Sequence, residues 1–266
     1  MSIQLDTISA DALAQERFQV RKKEIQDLIS GHVVGDPLPR IDYTEEENLL
    51  WEEVVGKLKS VHRSTACARY LAAAQRVDLG LGRVPSLPEL SEEISSATGF
   101  GLLPAGDLVP ARQFYEAFAD QRFHSTQYLR ASHTPYYTPE PDLIHELVGH
   151  AVMLADTGFA DLYRCFGETA RRVRSESGLD ALSKVFWFTM EVGVIREAGG
   201  TRAYGAALLS SVGELEGLAT TPLQGFSIQG MLDQPYDITE HQPVLFAADS
   251  FEQLDGEIRG FLEKLA

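Results

Sequence analysis

The chain has 266 residues, 44% of them hydrophobic and 23% charged, an ordinary globular composition large enough to bury a core without covalent staples. Its formal net charge of −16 argues against nucleic acid and anionic membranes as partners, because both select a basic footprint. Two cysteines, Cys67 and Cys165, are too few for a disulfide framework, no stretch approaches the ~18 apolar residues of a membrane span, and no signal peptide is visible, so a reducing, cytoplasmic setting is expected.

In chain order, residues 10–30 read as an amphipathic helix and 31–39 as a Gly/Pro loop. Thr44 with Glu47 is a capping-box signature ahead of a helix through "LLWEEVVGKLKSV". Helices are expected over 64–78 and in "SLPELSEEISSATG", the latter closed by Gly99. "GFGLLPAGDLVP" (99–110) reads as loop, with Pro110 in the first turn of a helix to about Asp120. "RFHSTQYLR" (122–130) has strand character, and the prolines of "HTPYYTPEP" predict extended chain. Asp142 caps a helix carrying His145 and His150. Helices follow over 158–176 and 180–193, then a hairpin turning at Gly199–Gly200 and a helix over 206–218. The tail predicts one or two short strands around 235–247 and a helix from Ser250 to Leu265. The sum is an α+β domain, mostly helical, with a few short strands. No alternating βαβ pattern, P-loop or G-x-S-x-G is present.

"TPEPDLIHELVGHAVMLAD" (138–156) opens like H-E-x-x-H, but position 149 is glycine and the second histidine comes one residue late. On a regular helix residues five apart point about 140° from each other. The pair converges if the helix widens to a π-bulge, which brings the angle to roughly 50°, or if His145 reaches back with its own rotamer. Gly149 permits such a distortion, or the close approach of another element. Two hydrogen-bonded core histidines are the plain alternative. Against it stands Glu191, a lone carboxylate in the apolar run "KVFWFTMEVGVI" (184–195), which needs a cation or must keep its proton. Pairing with Arg196 or Arg202 would also satisfy it. Two histidines and one carboxylate match the facial set that holds non-haem Fe(II) with open positions.

These residues resemble the pterin-dependent aromatic amino acid hydroxylases. The resemblance rests on motifs in order: "DYTEEENLLWEEVVGKL" (42–58), "TGFGLLPAGDLV" (98–109), "FHSTQYLR" (123–130), residues 138–156, "FWFTMEVG" (186–193), "AYGAALLSSVGEL" (203–215) and "DITEHQPVLF" (237–246). They cover nearly the whole chain and look closer to the animal branch than to the short bacterial one. The resemblance implies His145, His150 and Glu191 as iron ligands. It implies Arg130 as the clamp on the substrate carboxylate, with Asp142 behind it, Thr138 and Ser210 at the head group, and Pro141 and Trp187 as ring walls. Phe114 matches the residue that stacks on the pterin. His124, Glu146 and Phe186 match other pterin-side positions, and Leu108 and Val109 match a loop against the pterin ring. Reduced pterin would supply two electrons and O₂ is then split, one oxygen going to the pterin and the other to the arene.

Three departures stand out. Val192 follows the glutamate where phenylalanine is usual, Ala207 replaces a glycine, and Asp107 replaces a glycine in the pterin loop. The first two alter the substrate wall, so either the ring position attacked or the substrate can differ from ordinary para-hydroxylation. The resemblance also implies a single catalytic domain over 1–266, without a regulatory domain or tetramerisation helix, as a monomer or dimer. Phenylalanine is the first expected substrate, supported by Trp187, with the para carbon first and the meta carbon next. Tyrosine or tryptophan hydroxylation, a zinc-dependent hydrolase and a non-catalytic binding protein are the alternatives.

Overall fold

A computed structural model describes residues 10–237 and 240–265. Helices α1 (Ala10–Ile29) and α2 (Glu45–Thr65) lead the chain, and the Thr44/Glu47 capping box forms in full. The core is built around buried helices α7 (Thr157–Arg172) and α8 (Glu176–Phe186), with α12 (Phe251–Leu265) closing one side. Phe118, Phe123, Tyr163, Phe166 and Phe186 form its aromatic centre, each at most 2% exposed. Their rings meet stacked or edge-on, the arrangements that the aromatic quadrupole favours. Among the described residues no helix is long and apolar enough to cross a membrane.

Two small sheets flank this core. β1 (Gly101–Ala105) and β2 (Arg122–Thr126) pair in parallel, in register from Gly101↔Arg122 to Ala105↔Thr126, with α5 (Ala111–Phe118) between them in sequence. The second sheet has the order β4-β3-β6-β5. The hairpin of β3 (Val194–Glu197) and β4 (Gly200–Ala203) adds in parallel to the buried β6 (Leu245–Ala248), which in turn pairs with β5 (Leu223–Gly225). Gly199 and Gly200, at φ 94 and 128, make the expected hairpin turn.

The mostly helical α+β reading holds, and several boundaries differ. Residues 101–105 are a strand rather than loop. Pro104 is tolerated because β1 pairs on one side only, so the missing N–H removes no ladder bond. The chain therefore does contain one βαβ unit, stopping at two strands. β2 ends at Thr126 because β1 offers no partner beyond Ala105. The expected helix over 64–78 shrinks to α3 (Ala68–Ala73), since α2 runs to Thr65 and Ala66 and Cys67 extend to bond with Ala203. Residues 131–137 form two turns rather than extended chain, the second with Pro135 in the position that a turn favours. The helix over 206–218 divides into α9 (Ala206–Leu209) and α10 (Val212–Gly217) at Ser210 and Ser211. Pro110 sits one residue before α5, and β5 and α11 (Ile228–Asp233) were not expected. Of the tail, β6 appears, while residues 238–239 lie outside the described residues.

Candidate active site

The histidine pair converges by distortion of the helix itself. Residues His145–Ala151 form a π-helical segment, followed by one regular turn, α6 (Val152–Leu154). Asp142 caps its start by accepting His145 N–H at 3.1 Å. Gly149 serves the second role open to it as well: a Cβ there would lie 2.7 Å from Ala206 O and 2.8 Å from Ala206 Cβ. A second π-helical segment, Trp187–Glu191, extends α8 and delivers Glu191. Directly after it the chain crosses residues 204–205 at backbone contact: Gly193 O accepts from Tyr204 N and Gly205 N, and a Cβ on Gly205 would collide with Glu191 and Gly193.

His145 Nε2 and His150 Nε2 are 3.0 Å apart, with Glu191 Oε1 3.2 Å from the second and Oε2 3.7 Å from the first. One ligand atom from each of the three lies within 4.8 Å of the others. The outer nitrogens are engaged: His145 Nδ1 meets Ser210 Oγ at 3.1 Å, and His150 Nδ1 meets Tyr163 OH at 2.6 Å. Ser210 gives its own proton to Ala206 O at 2.8 Å, so it accepts from His145 Nδ1–H and leaves Nε2 as a lone pair. Burial pushes His145 down to about 4. Burial also works against protonation of His150, but the Glu191 carboxylate outweighs it and raises the imidazole, while Glu191 itself stays below its usual range. Among the described residues, Glu191 Oε2 is buried without a hydrogen-bond partner. An orphaned carboxylate oxygen beside two converging imidazole nitrogens fits a divalent cation. Arg196 and Arg202 do not satisfy Glu191: Arg196 pairs with Asp249, and Arg202 turns to backbone carbonyls.

His145 and Glu191 open onto a cavity of about 210 Å³. Arg130, Thr138, Pro141, Trp187, Val192, Ala207 and Ser210 line it with them. Asp142 stands behind, fully buried, and holds Arg130 bidentately through Nε (2.9 Å) and Nη2 (2.8 Å) while also accepting Arg130 N–H. Burial opposes ionisation of Asp142, but Arg130 outweighs it and keeps the carboxyl below its ordinary value. The Nη1 edge of the fork is left toward the cavity, where its only protein contact is Pro135 O at 3.5 Å among the described residues.

Beyond the triad, Phe123 packs on the His150 ring at 4.7 Å, and Phe114 meets Phe123 and Phe186 edge-on. Phe114 is half-buried and Phe186 is core. Glu146 is buried, accepting from Thr126 N and Oγ1 at 3.4 and 3.3 Å, and burial pushes it up to about 8. Burial lowers His124, whose Nδ1 is buried without a partner among the described residues. Leu108 is exposed and Val109 half-exposed on the loop after β1. An aromatic ring, an orphaned imidazole nitrogen and a carboxyl inclined to stay protonated are the kinds of group that suit a flat heterocycle with polar edges.

A family model for biopterin-dependent aromatic amino acid hydroxylases matches residues 6–266. The chain belongs to this family. It is 42% identical over 244 residues to a phenylalanine 3-hydroxylase from Streptomyces coeruleorubidus, covering 92% of this chain and 88% of that one. A phenylalanine-4-hydroxylase from Bos taurus is 36% identical over 92% of this chain, which spans 55% of the bovine protein. The crystal structure of Chromobacterium violaceum phenylalanine hydroxylase with iron(III) and 7,8-dihydrobiopterin superposes with a TM-score of 0.82 at 29% identity, covering 92% of this chain and 90% of that one.

As a biopterin-dependent hydroxylase the chain is a monooxygenase that uses iron and a reduced pterin on an aromatic amino acid. The zinc-hydrolase and binding-protein alternatives fall away. Three residues of this hydroxylase site escaped the sequence reading. Tyr163 fixes His150, Gln242 accepts from Trp187 Nε1 at 3.2 Å, and Tyr236 stacks on the Trp187 ring at 5.5 Å. A tyrosine in an apolar helix reads as core, Tyr236 lies in a segment without periodicity, and Gln242 falls within the motif at 237–246, where nothing in its own chemistry points to Trp187.

Proposed function

We propose that this hydroxylase oxidises the ring of phenylalanine at the 3-position, with His145, His150 and Glu191 holding the iron. The observation that carries the reading is one cavity lined both by Arg130 and by His145 and Glu191, which sets an amino acid clamp beside a metal cradle. Iron and reduced pterin, when bound, supply the activation of O₂. Phe114, Phe186, His124 and Glu146, with Leu108 and Val109 above, would hold the pterin.

The protein's own part is orientation. Asp142 locks the Arg130 fork, so its free Nη1 edge meets a carboxylate at a fixed angle. Thr138 and Ser210 flank the head group. Pro141 and Trp187 face the ring, and Gln242 and Tyr236 keep the indole from turning. Val192 is buried at the cavity wall directly after Glu191. Its side chain leaves free most of the volume a phenylalanine would fill, and the Ala207 methyl adds bulk elsewhere on that wall. A ring displaced toward Val192 offers a different carbon to the iron. The 42% identity to a phenylalanine 3-hydroxylase supports the same choice. The para carbon, first in the sequence reading, is the competing outcome.

The test is product analysis with Fe(II), reduced pterin, O₂ and phenylalanine against meta- and para-tyrosine standards. Meta-tyrosine is expected to predominate, and Val192→Phe to shift the ratio at least tenfold toward para. Para-tyrosine alone from the wild type, unchanged by Val192→Phe, rejects the 3-position.

A further inference from the structure

Charged groups of both signs line the cavity. The Arg130 guanidinium is a pure donor, suited to a carboxylate. The segment of α9, α10 and the break between them contributes Ala207, Ser210, Ser211 and Glu214 to the same lining. Ser210 donates to Ala206 O, and Ser211 Oγ accepts Glu214 N–H at 3.3 Å as the α10 cap, which leaves the Glu214 carboxylate as the charged acceptor of this segment.

The other cavity carboxylates have different surroundings. Glu140 is paired with Lys22, Glu191 faces the two imidazoles, and Glu240 is exposed at the mouth. Glu214 is half-buried and, among the described residues, takes one hydrogen bond, from Gln242 N–H at 3.3 Å. A half-buried carboxylate with lone pairs to spare, lining the same cavity as the buried Arg130 guanidinium, matches the positive end of a zwitterion.

We propose that Glu214 receives the ammonium group of the amino acid substrate, setting specificity for α-amino acids over their deaminated analogues. This rests on the amino acid cavity proposed above. Arg130 and Glu214 then read the two charges of the head group, and the ring is left to Trp187, Pro141 and Val192. Burial raises the Glu214 carboxyl and the neighbouring His241 opposes that shift, so the site favours a permanent cation as its partner.

The test measures binding of L-phenylalanine and of 3-phenylpropanoate, which lacks the ammonium, to the Fe(II)-loaded protein by calorimetry. The wild type is expected to prefer phenylalanine at least tenfold. Glu214→Gln, nearly isosteric, is expected to weaken phenylalanine about tenfold while changing 3-phenylpropanoate less than twofold, a non-additive cycle between ligand and residue. Retained 3-phenylpropanoate binding doubles as the folding control. Equal loss of both ligands, or no loss of phenylalanine, overturns the assignment of Glu214. A wild type that binds neither ligand rejects the cavity reading itself.

Discussion

His150 turns one nitrogen to Glu191 and the other to the hydroxyl of Tyr163. That outer contact orients the ring and steers which nitrogen carries the proton. Tyr163→Phe keeps the buried ring in its aromatic cluster and removes only the hydroxyl. Affinity for Fe(II) or Co(II), measured by competition with a chelator, is expected to fall roughly 10–100-fold, the usual consequence of deleting such an outer partner. Stability should change by no more than about 1.5 kcal/mol, the net worth of one hydrogen bond. Unchanged metal affinity would show that packing alone orients His150. The three candidate metal residues were readable because a carboxylate inside an apolar run is chemically conspicuous. Tyr163 was not, because a hydroxyl at the rim of a ring leaves no trace in hydropathy.

Among the elements, the π-helical segment at His145–Ala151 carries the site and depends on the absence of a side chain at position 149. In an exposed helix interior Gly→Ala stabilises by up to about 1 kcal/mol. At Gly149 the new methyl would meet the backbone of Ala206, which cannot yield without displacing α9 and Ser210. The overpacking cost of about 1–3 kcal/mol or more wins. Gly149→Ala is expected to lower the urea midpoint, whereas Gly256→Ala in α12, with nothing within 4 Å, should raise stability by about 0.5–1 kcal/mol. If both substitutions stabilise, the contact with Ala206 is not tight. The widened helix was legible, since a spacing of five between His145 and His150 has few other solutions. The breaks after Thr65 and at Ser210–Ser211 were not, because the apolar pattern runs through them and it is pairing with Ala203 and capping by Ser211 that interrupt the helices. β1 was hidden for the converse reason: Gly101 and Pro104 signal loop locally, and only the partner strand makes the segment extended.

For the molecule as a whole, pH acts through groups that burial holds neutral. His62 on α2 contacts Leu209 O at 2.7 Å, tying α2 to the wall of the cavity. Burial lowers its pKa from 6.5 to about 4. Between those values the unfolded chain takes up a proton that the folded one refuses, so stability is full above 6.5 and is lost as pH falls toward 4. The difference is worth roughly 3 kcal/mol. Denaturation curves from pH 7 to 4.5 should therefore slope less steeply in His62→Gln than in the wild type, and parallel curves would remove His62 from the account. At this scale the sequence showed the fold class and the kind of site, through ordered motifs spread along the chain. How the sheets and helices are layered depends on pairings between distant segments and was not readable. One such pairing has a consequence for metal choice. The crossings at Gly149 and Gly193 brace the chain beside His150 and Glu191 by backbone contact. A nitrogen–oxygen receptacle braced in this way selects among first-row ions through the geometry it imposes and the supply of each ion, because raw affinity follows the same order at most such sites.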